Sequence, residues 1–183
     1  LASVLVAAGV SPGDRVIISA ENRPEWAICD LAIMAIGAIV VPAYTTNTED
    51  DHHFIIDHSG ATVAITSGGV LATRVSLAAE RATSLKTLIT MDSEFSARQM
   101  KRTKLVDWSS AINAANPLAD LDERVDALAA DDVCCFIYTS GTGGRPKGVM
   151  LTHSNLTSQM AQMAHPSFKV IDEVRQRNKE KAF

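Results

Sequence analysis

Short apolar, β-branched runs punctuate this chain at regular intervals. They fall at residues 15–20 (Val16, Ile17, Ile18), 39–43 (Ile39, Val40, Val41), 61–66, 86–90 and 133–138. Runs this short, bounded by turn residues, predict buried strands. Helical signals fill the gaps. Residues 1–8 read as the end of a helix, with Gly9 after it, and residues 11–14 (Ser-Pro-Gly-Asp) as a turn. Asn22 before Pro24 marks a helix start, and the helix predicted over 25–37 is apolar nearly all round, which places it between layers. Thr48 is positioned to cap a helix over 49–58 that Gly60 ends, and a further helix is predicted over 70–81. Strands alternating with helices imply βαβ units: an α/β fold, a mainly parallel sheet with helices on both faces and the 15–20 strand central.

The pattern weakens after residue 91. Residues 92–105 are polar and predict a surface loop with a short helix. A helix over 106–115 stops at Asn116 and Pro117, and the acidic stretch 118–132 leads into the 133–138 strand. A strand over 148–151 and a helix opening at His153, Ser154 and Asn155 follow. Pro166 interrupts this helix, and 168–183 has the pattern of a charged amphipathic helix. There is no internal repeat, low-complexity tract or domain linker.

Composition narrows the classes. The 183 residues are 46% hydrophobic and 21% charged, with a net charge of −4. That is a soluble-globular composition, and with no Lys/Arg stripe it excludes nucleic acid as the expected partner. The longest apolar stretch, 26–44, carries Asp30 and ends near Pro42, so a buried helix and strand are expected and not a transmembrane segment. No signal-peptide pattern is visible, and the start at Leu1 leads to the expectation of a chain beginning inside a longer, cytoplasmic protein. Three cysteines with no framework spacing do not make a disulfide scaffold. Cys134 and Cys135 are expected to point to opposite faces of one strand as buried small residues.

The candidate chemistry lies between the last two apolar runs. Tyr138 leads into Thr139, Ser140, Gly141, Thr142, Gly143, Gly144 and Arg145, followed by Pro146, Lys147, Gly148 and Val149. Strand, Gly-rich loop, strand is the reading. The glycines permit close backbone approach, successive N–H groups form an anion nest, and the hydroxyls and Lys147 add donors and charge. Such a loop suits a polyphosphate. It is not the Walker loop: Pro146 stands at the second glycine position and Gly148 where a Ser or Thr would hold magnesium.

These residues resemble the AMP-forming acyl-CoA synthetases of the adenylate-forming ligase superfamily, whose signature is close to Tyr-Thr-Ser-Gly-Thr-Thr-Gly-x-Pro-Lys-Gly-Val. The match is gap-free from Tyr138 to Val149, departing at Gly143, where the family has threonine. Glu21 to Trp26, Gly37 to Pro42, and Ser59-Gly60-Ala61 are similar to the N-terminal region of members acting on long-chain fatty acids. The resemblance covers about 1–165; 166–183 is an unmatched tail.

The resemblance implies part of the large N-terminal domain over 1–183, and a reaction in two halves. A carboxylate attacks the α-phosphate of Mg-ATP to give an acyl-adenylate and pyrophosphate, and coenzyme A then takes the acyl group. It implies that Thr139, Ser140, Gly141, Thr142, Gly143, Gly144 and Lys147 bind the ATP phosphates and that the Thr139 hydroxyl reaches Mg2+. It implies no catalytic residue in this fragment, since the family's catalytic lysine belongs to a C-terminal domain absent here. The expected partner is a fatty acid or other carboxylic acid, with peripheral membrane contact through a lipid-like substrate. An aryl- or amino-acid-adenylating ligase, or a truncated non-catalytic module, stays open as an alternative. His52, His53 and His58 on one predicted helix are read as exposed residues and not as metal ligands, His153 as a helix-start residue, and Trp26 and Trp108 as core anchors.

Overall fold

The computed structural model describes residues 1–93, 95, 100–139 and 146–164. Among them lie strands β1 (Arg15–Ser19), β2 (Ile39–Pro42), β3 (Val63–Thr66), β4 (Thr87–Thr90), β5 (Lys104–Asp107), β6 (Val133–Thr139) and β7 (Lys147–Thr152). The helices are α1 (Ala2–Ala7), α2 (Pro24–Ala35), α3 (Glu49–Ser59), α4 (Gly69–Arg81), α5 (Trp108–Ala114), α6 (Leu121–Asp126) and α7 (His153–Ala164). The strands form one seven-stranded sheet in the order β5-β4-β3-β1-β2-β6-β7. Neighbours from β5 to β6 run parallel, and β7 alone is antiparallel, to β6. The α/β class and the central place of β1 are as the sequence pattern predicts.

Side chains alternate across the sheet and divide the core in two. Ile17, Val41, Ala64 and Leu88 pack on one face beneath α3 and α4. Val16, Ile18, Val40, Val63, Ile65 and Ile89 pack on the other beneath α1 and α2, with Trp26 and Trp108 against them. Strands covered on both faces need continuous apolar sequence, which is why these runs do not alternate with polar residues. Cys135 packs on the α2 face, while its neighbour Phe136 reaches the α3 face.

α3 is held at both ends by local chemistry. Thr48 and Asp51 form a reciprocal capping box at its start. Gly60 closes it at φ 65°, and the Arg15 guanidinium donates to the carbonyls of Ser59 (2.6 Å) and Gly60 (3.1 Å). A cation there satisfies orphan carbonyls and complements the helix dipole. α7 opens in a similar way, with Thr152 and Asn155 exchanging backbone-to-side-chain bonds.

Three expectations need correction. α2 is not enclosed between layers: Cys29 and Ile33 are buried, but Ile28 is 49% and Leu31 66% exposed. The apolar composition of its outer side therefore does not report burial within this chain. Residues 104–107 are the edge strand β5, not loop and helix start. The Glu80 carboxylate accepts the N–H groups of Lys101, Arg102 and Thr103 and delivers the chain to β4. The helix after it starts at Trp108 because the Asp107 carboxylate accepts from Ser110 N–H. Finally, the acidic lead contains the short helix α6, with the Arg124–Asp120 ion pair at 2.9 Å. The helix expected over 168–183 lies outside the described residues.

β7 forms the rim of the sheet. It pairs with β6 on one side, and Val149 and Met150, which point to opposite faces, are both exposed.

Candidate functional site

The carboxyl ends of β1, β2 and β6 meet at a switch in topology. The connection from β1 runs through α2 on one face, whereas that from β2 runs through α3 on the other. Diverging connections leave a crevice at the carboxyl edge, where open α/β sheets hold ligands. A cavity of about 310 Å³ lies there. Asn22 and Trp26 after β1, Tyr44 and Thr45 after β2, and Ile137 and Tyr138 of β6 line it.

The Gly-rich loop leaves the sheet beside this cavity. Thr139 and Lys147 are paired across the β6–β7 hairpin, with Tyr138 opposite Gly148 and Ile137 opposite Val149. Directly opposed residues of an antiparallel pair share a face. Thr139 and Lys147 thus lie on the same face as Ile137, both exposed. Strand, loop, strand is what the apolar runs predict. Ser140, Gly141, Thr142, Gly143 and Gly144, expected to cradle phosphate, lie outside the described residues. Of the expected set, the structure therefore brings together Thr139 and Lys147.

Tyr138 is buried, and its surroundings are specific. Its hydroxyl lies 2.8 Å from His58 Nδ1. Phe54 meets the ring edge-on at 6.4 Å, and His58 stacks on Phe54 at 5.1 Å. A Cβ at Gly148 would sit 3.4 Å from the Tyr138 ring, so the glycine lets β7 lie close to it. Burial pushes the phenol above its ordinary range.

The histidines separate by environment. His58 is exposed but bonded to Tyr138, and His53 pairs with Asp57 at 3.3 Å. His52 is a correction: it is 1% exposed, its Nε2 has no hydrogen-bond partner, and burial lowers it to about 4. A single residue's shift along α3 turns the ring from solvent into the core, which neighbouring acidic residues do not reveal. Among the described residues no three His, Cys, Asp or Glu side chains converge as a metal site. Burial pushes Cys29 and Cys135 up to about 12 and Cys134 upward as well.

A polar latch at the same edge escapes sequence reading. Arg23 donates to Glu25 and to Asp92, each at 2.9 Å, and Asp92 accepts Gly68 N–H at 2.7 Å. It ties together the loops after β1, β3 and β4. Its members are 69 residues apart, so only the fold brings them together. His153, at the start of α7, lies at the opposite end of β6 beside Val133.

The AMP-binding enzyme family profile matches residues 1–178. The chain belongs to this family. It is 34% identical over 165 residues to a long-chain-fatty-acid–CoA ligase of Mycobacterium tuberculosis, an alignment covering 89% of this chain and 26% of that protein. It is 30% identical to fatty acyl-CoA synthetase A of Dictyostelium discoideum, over 88% of this chain and 24% of that one. Among solved structures, a benzoate CoA ligase from Burkholderia xenovorans superposes with a TM-score of 0.72 at 27% identity, over 90% of this chain and 29% of that chain. The chain thus spans about a quarter of the length of these relatives. Among the described residues no helix is long and apolar enough to cross a membrane.

Proposed function

We propose that the chain is the phosphate-binding portion of an ATP-dependent acid–thiol ligase acting on fatty acids, and that 1–183 is part of its large N-terminal domain. The observation that carries this reading is the position of the Thr139–Lys147 hairpin. Its loop leaves the sheet at the carboxyl edge, beside a cavity at the switch between β1 and β2. Family membership and the fatty-acid ligases among the relatives support the substrate class.

In this reading Thr139, Ser140, Gly141, Thr142, Gly143, Gly144 and Lys147 hold the β- and γ-phosphates of ATP. Fixed donors aimed at charge growing on departing pyrophosphate stabilise the transition state. The exposed Thr139 hydroxyl and Lys147 ammonium on one face fit that task. Mg2+ would share that charge, bound through phosphate oxygens and the Thr139 hydroxyl, in keeping with its habit of few protein ligands. The acid attacks the α-phosphate, acyl-adenylate forms and pyrophosphate leaves. Coenzyme A then takes the acyl group and AMP is released.

The test is acid-dependent ATP–pyrophosphate exchange by the full-length protein, with palmitate and benzoate compared. Exchange with palmitate supports the reading. Preference for benzoate favours an aryl ligase, the second reading, which the fold match to a benzoate CoA ligase keeps in view. ATP cleaved to ADP, or no exchange with any acid, overturns both.

A further inference from the structure

We propose that His58 is a positioning residue for the phosphate loop, acting through Tyr138. This inference rests on the reading of residues 139–147 as a phosphate site.

The end of β6 needs a tie. β6 is in register with β2 only at Val40–Cys135, whereas β1 is in register with β2 and with β3 at four positions each. Beyond Cys135, the residues leading to the loop have β7 as their registered neighbour, and β7 is itself an edge strand. Phe136 and Tyr138 reach from this end of the hairpin to the core beneath α3 and α4, and the side chain that adds a hydrogen bond is that of Tyr138. Its ring is packed against Phe54, and its hydroxyl bonds His58 Nδ1 at 2.8 Å.

The far end of this strut is fixed. His58 sits one residue before Ser59, whose carbonyl the Arg15 side chain holds at 2.6 Å. The Ser59 hydroxyl donates to the carbonyls of Ile55 and Ile56, and its oxygen is a second polar neighbour of the phenol beside His58. His58 also stacks on Phe54, which limits ring rotation. The chain of contacts runs from β1 through the end of α3 to Tyr138, and the next residue is Thr139. A hydrogen bond here fixes where Thr139 sits opposite Lys147. Small errors in the placement of such groups weaken what they bind.

The strut acts on the β- and γ-phosphates, so ATP and AMP should respond differently to its loss. The experiment measures binding of ATP and of AMP to the full-length protein by titration calorimetry. The variants are Tyr138→Phe, which keeps the ring, His58→Leu, which removes the bond, and His58→Gln, which can restore it. Tyr138→Phe and His58→Leu are expected to raise the Kd for ATP about five- to ten-fold, the scale of one lost hydrogen bond, and to change AMP binding less than about two-fold. His58→Gln should recover most of the loss. Equal weakening of ATP and AMP would mean a general structural role and overturn the inference, as would unchanged ATP binding in both variants. Should His58→Leu fail to fold, Tyr138→Phe alone decides by the same ratio. Wild-type protein that holds ATP no more tightly than AMP would overturn the phosphate-loop reading and this inference with it.

Discussion

Thr139 and Lys147 are the last paired residues of the β6–β7 hairpin, facing one another at the mouth of the loop. Their side chains leave the sheet on one face, a hydroxyl beside an ammonium. Among the described residues the loop is flanked by two strands and not by a helix start, so the proposed phosphate site draws on Lys147 for charge. Lys147→Met in the full-length protein should raise the KM for ATP about ten-fold, as expected for loss of a charge-assisted bond. The wild-type KM should also rise with added salt more steeply than that of the variant. Pyrophosphate exchange at increasing KCl measures both, and identical salt slopes would remove Lys147 from the site.

Gly60 closes α3 at φ 65°, and a Cβ there would lie 2.7 Å from Arg15 Nη2. Gly69 has φ 62° with nothing within 4 Å. Both Ala variants lose about 1 kcal/mol from the left-handed backbone. Gly60→Ala should lose about 1 kcal/mol more, because the guanidinium must move off the carbonyls it serves. Urea midpoints of the two variants give the comparison, and equal losses would show that the Arg15 contact adds nothing.

His52 stands near 4 when folded, below its ordinary 6.5. Its contribution to stability is therefore complete above pH 6.5. Below that the unfolded chain takes up a proton the folded chain refuses, and stability falls until about pH 4. Between pH 7.5 and 5 the loss from this group is about 2 kcal/mol. His52→Leu should flatten the dependence of the urea midpoint over that interval. A variant as acid-sensitive as the wild type would assign the effect to other groups.

The thiols provide a separate check on packing. With Cys29 and Cys135 pushed up to about 12 and Cys134 buried and raised, thiolate is scarce at neutral pH. Ellman's reagent at pH 8 should label none of these three on the folded protein within the minutes needed to label all of them in guanidinium. Rapid labelling of the folded protein would mean that the β6 seam opens.

The sequence was most legible where one local signal sufficed. Thr48, Asp51 and Gly60 specify α3 without help from the fold, and the β-branched runs announce β1 to β4. The motif from Tyr138 to Val149 is legible as a candidate site because its residues are contiguous. Contacts between distant segments were silent. Nothing near residue 104 says that Glu80 will collect three N–H groups and make a strand of it. Nothing near Tyr138 names His58, 80 residues earlier. The Arg23–Asp92 latch escaped for the same reason. α2 misled in the other direction, since Leu31 is apolar yet faces outward.

The rim strand has a consequence for anyone handling this polypeptide alone. Edge strands are normally blunted by charge, proline or a bulge. β7 offers one charged residue, Lys147 at its beginning, and then Val149 and Met150, the latter 65% exposed. Its outward N–H and C=O groups are a template. When no further strand of the same polypeptide reaches it, another molecule can. The isolated chain should self-associate as its concentration rises, with dilution reversing the first steps.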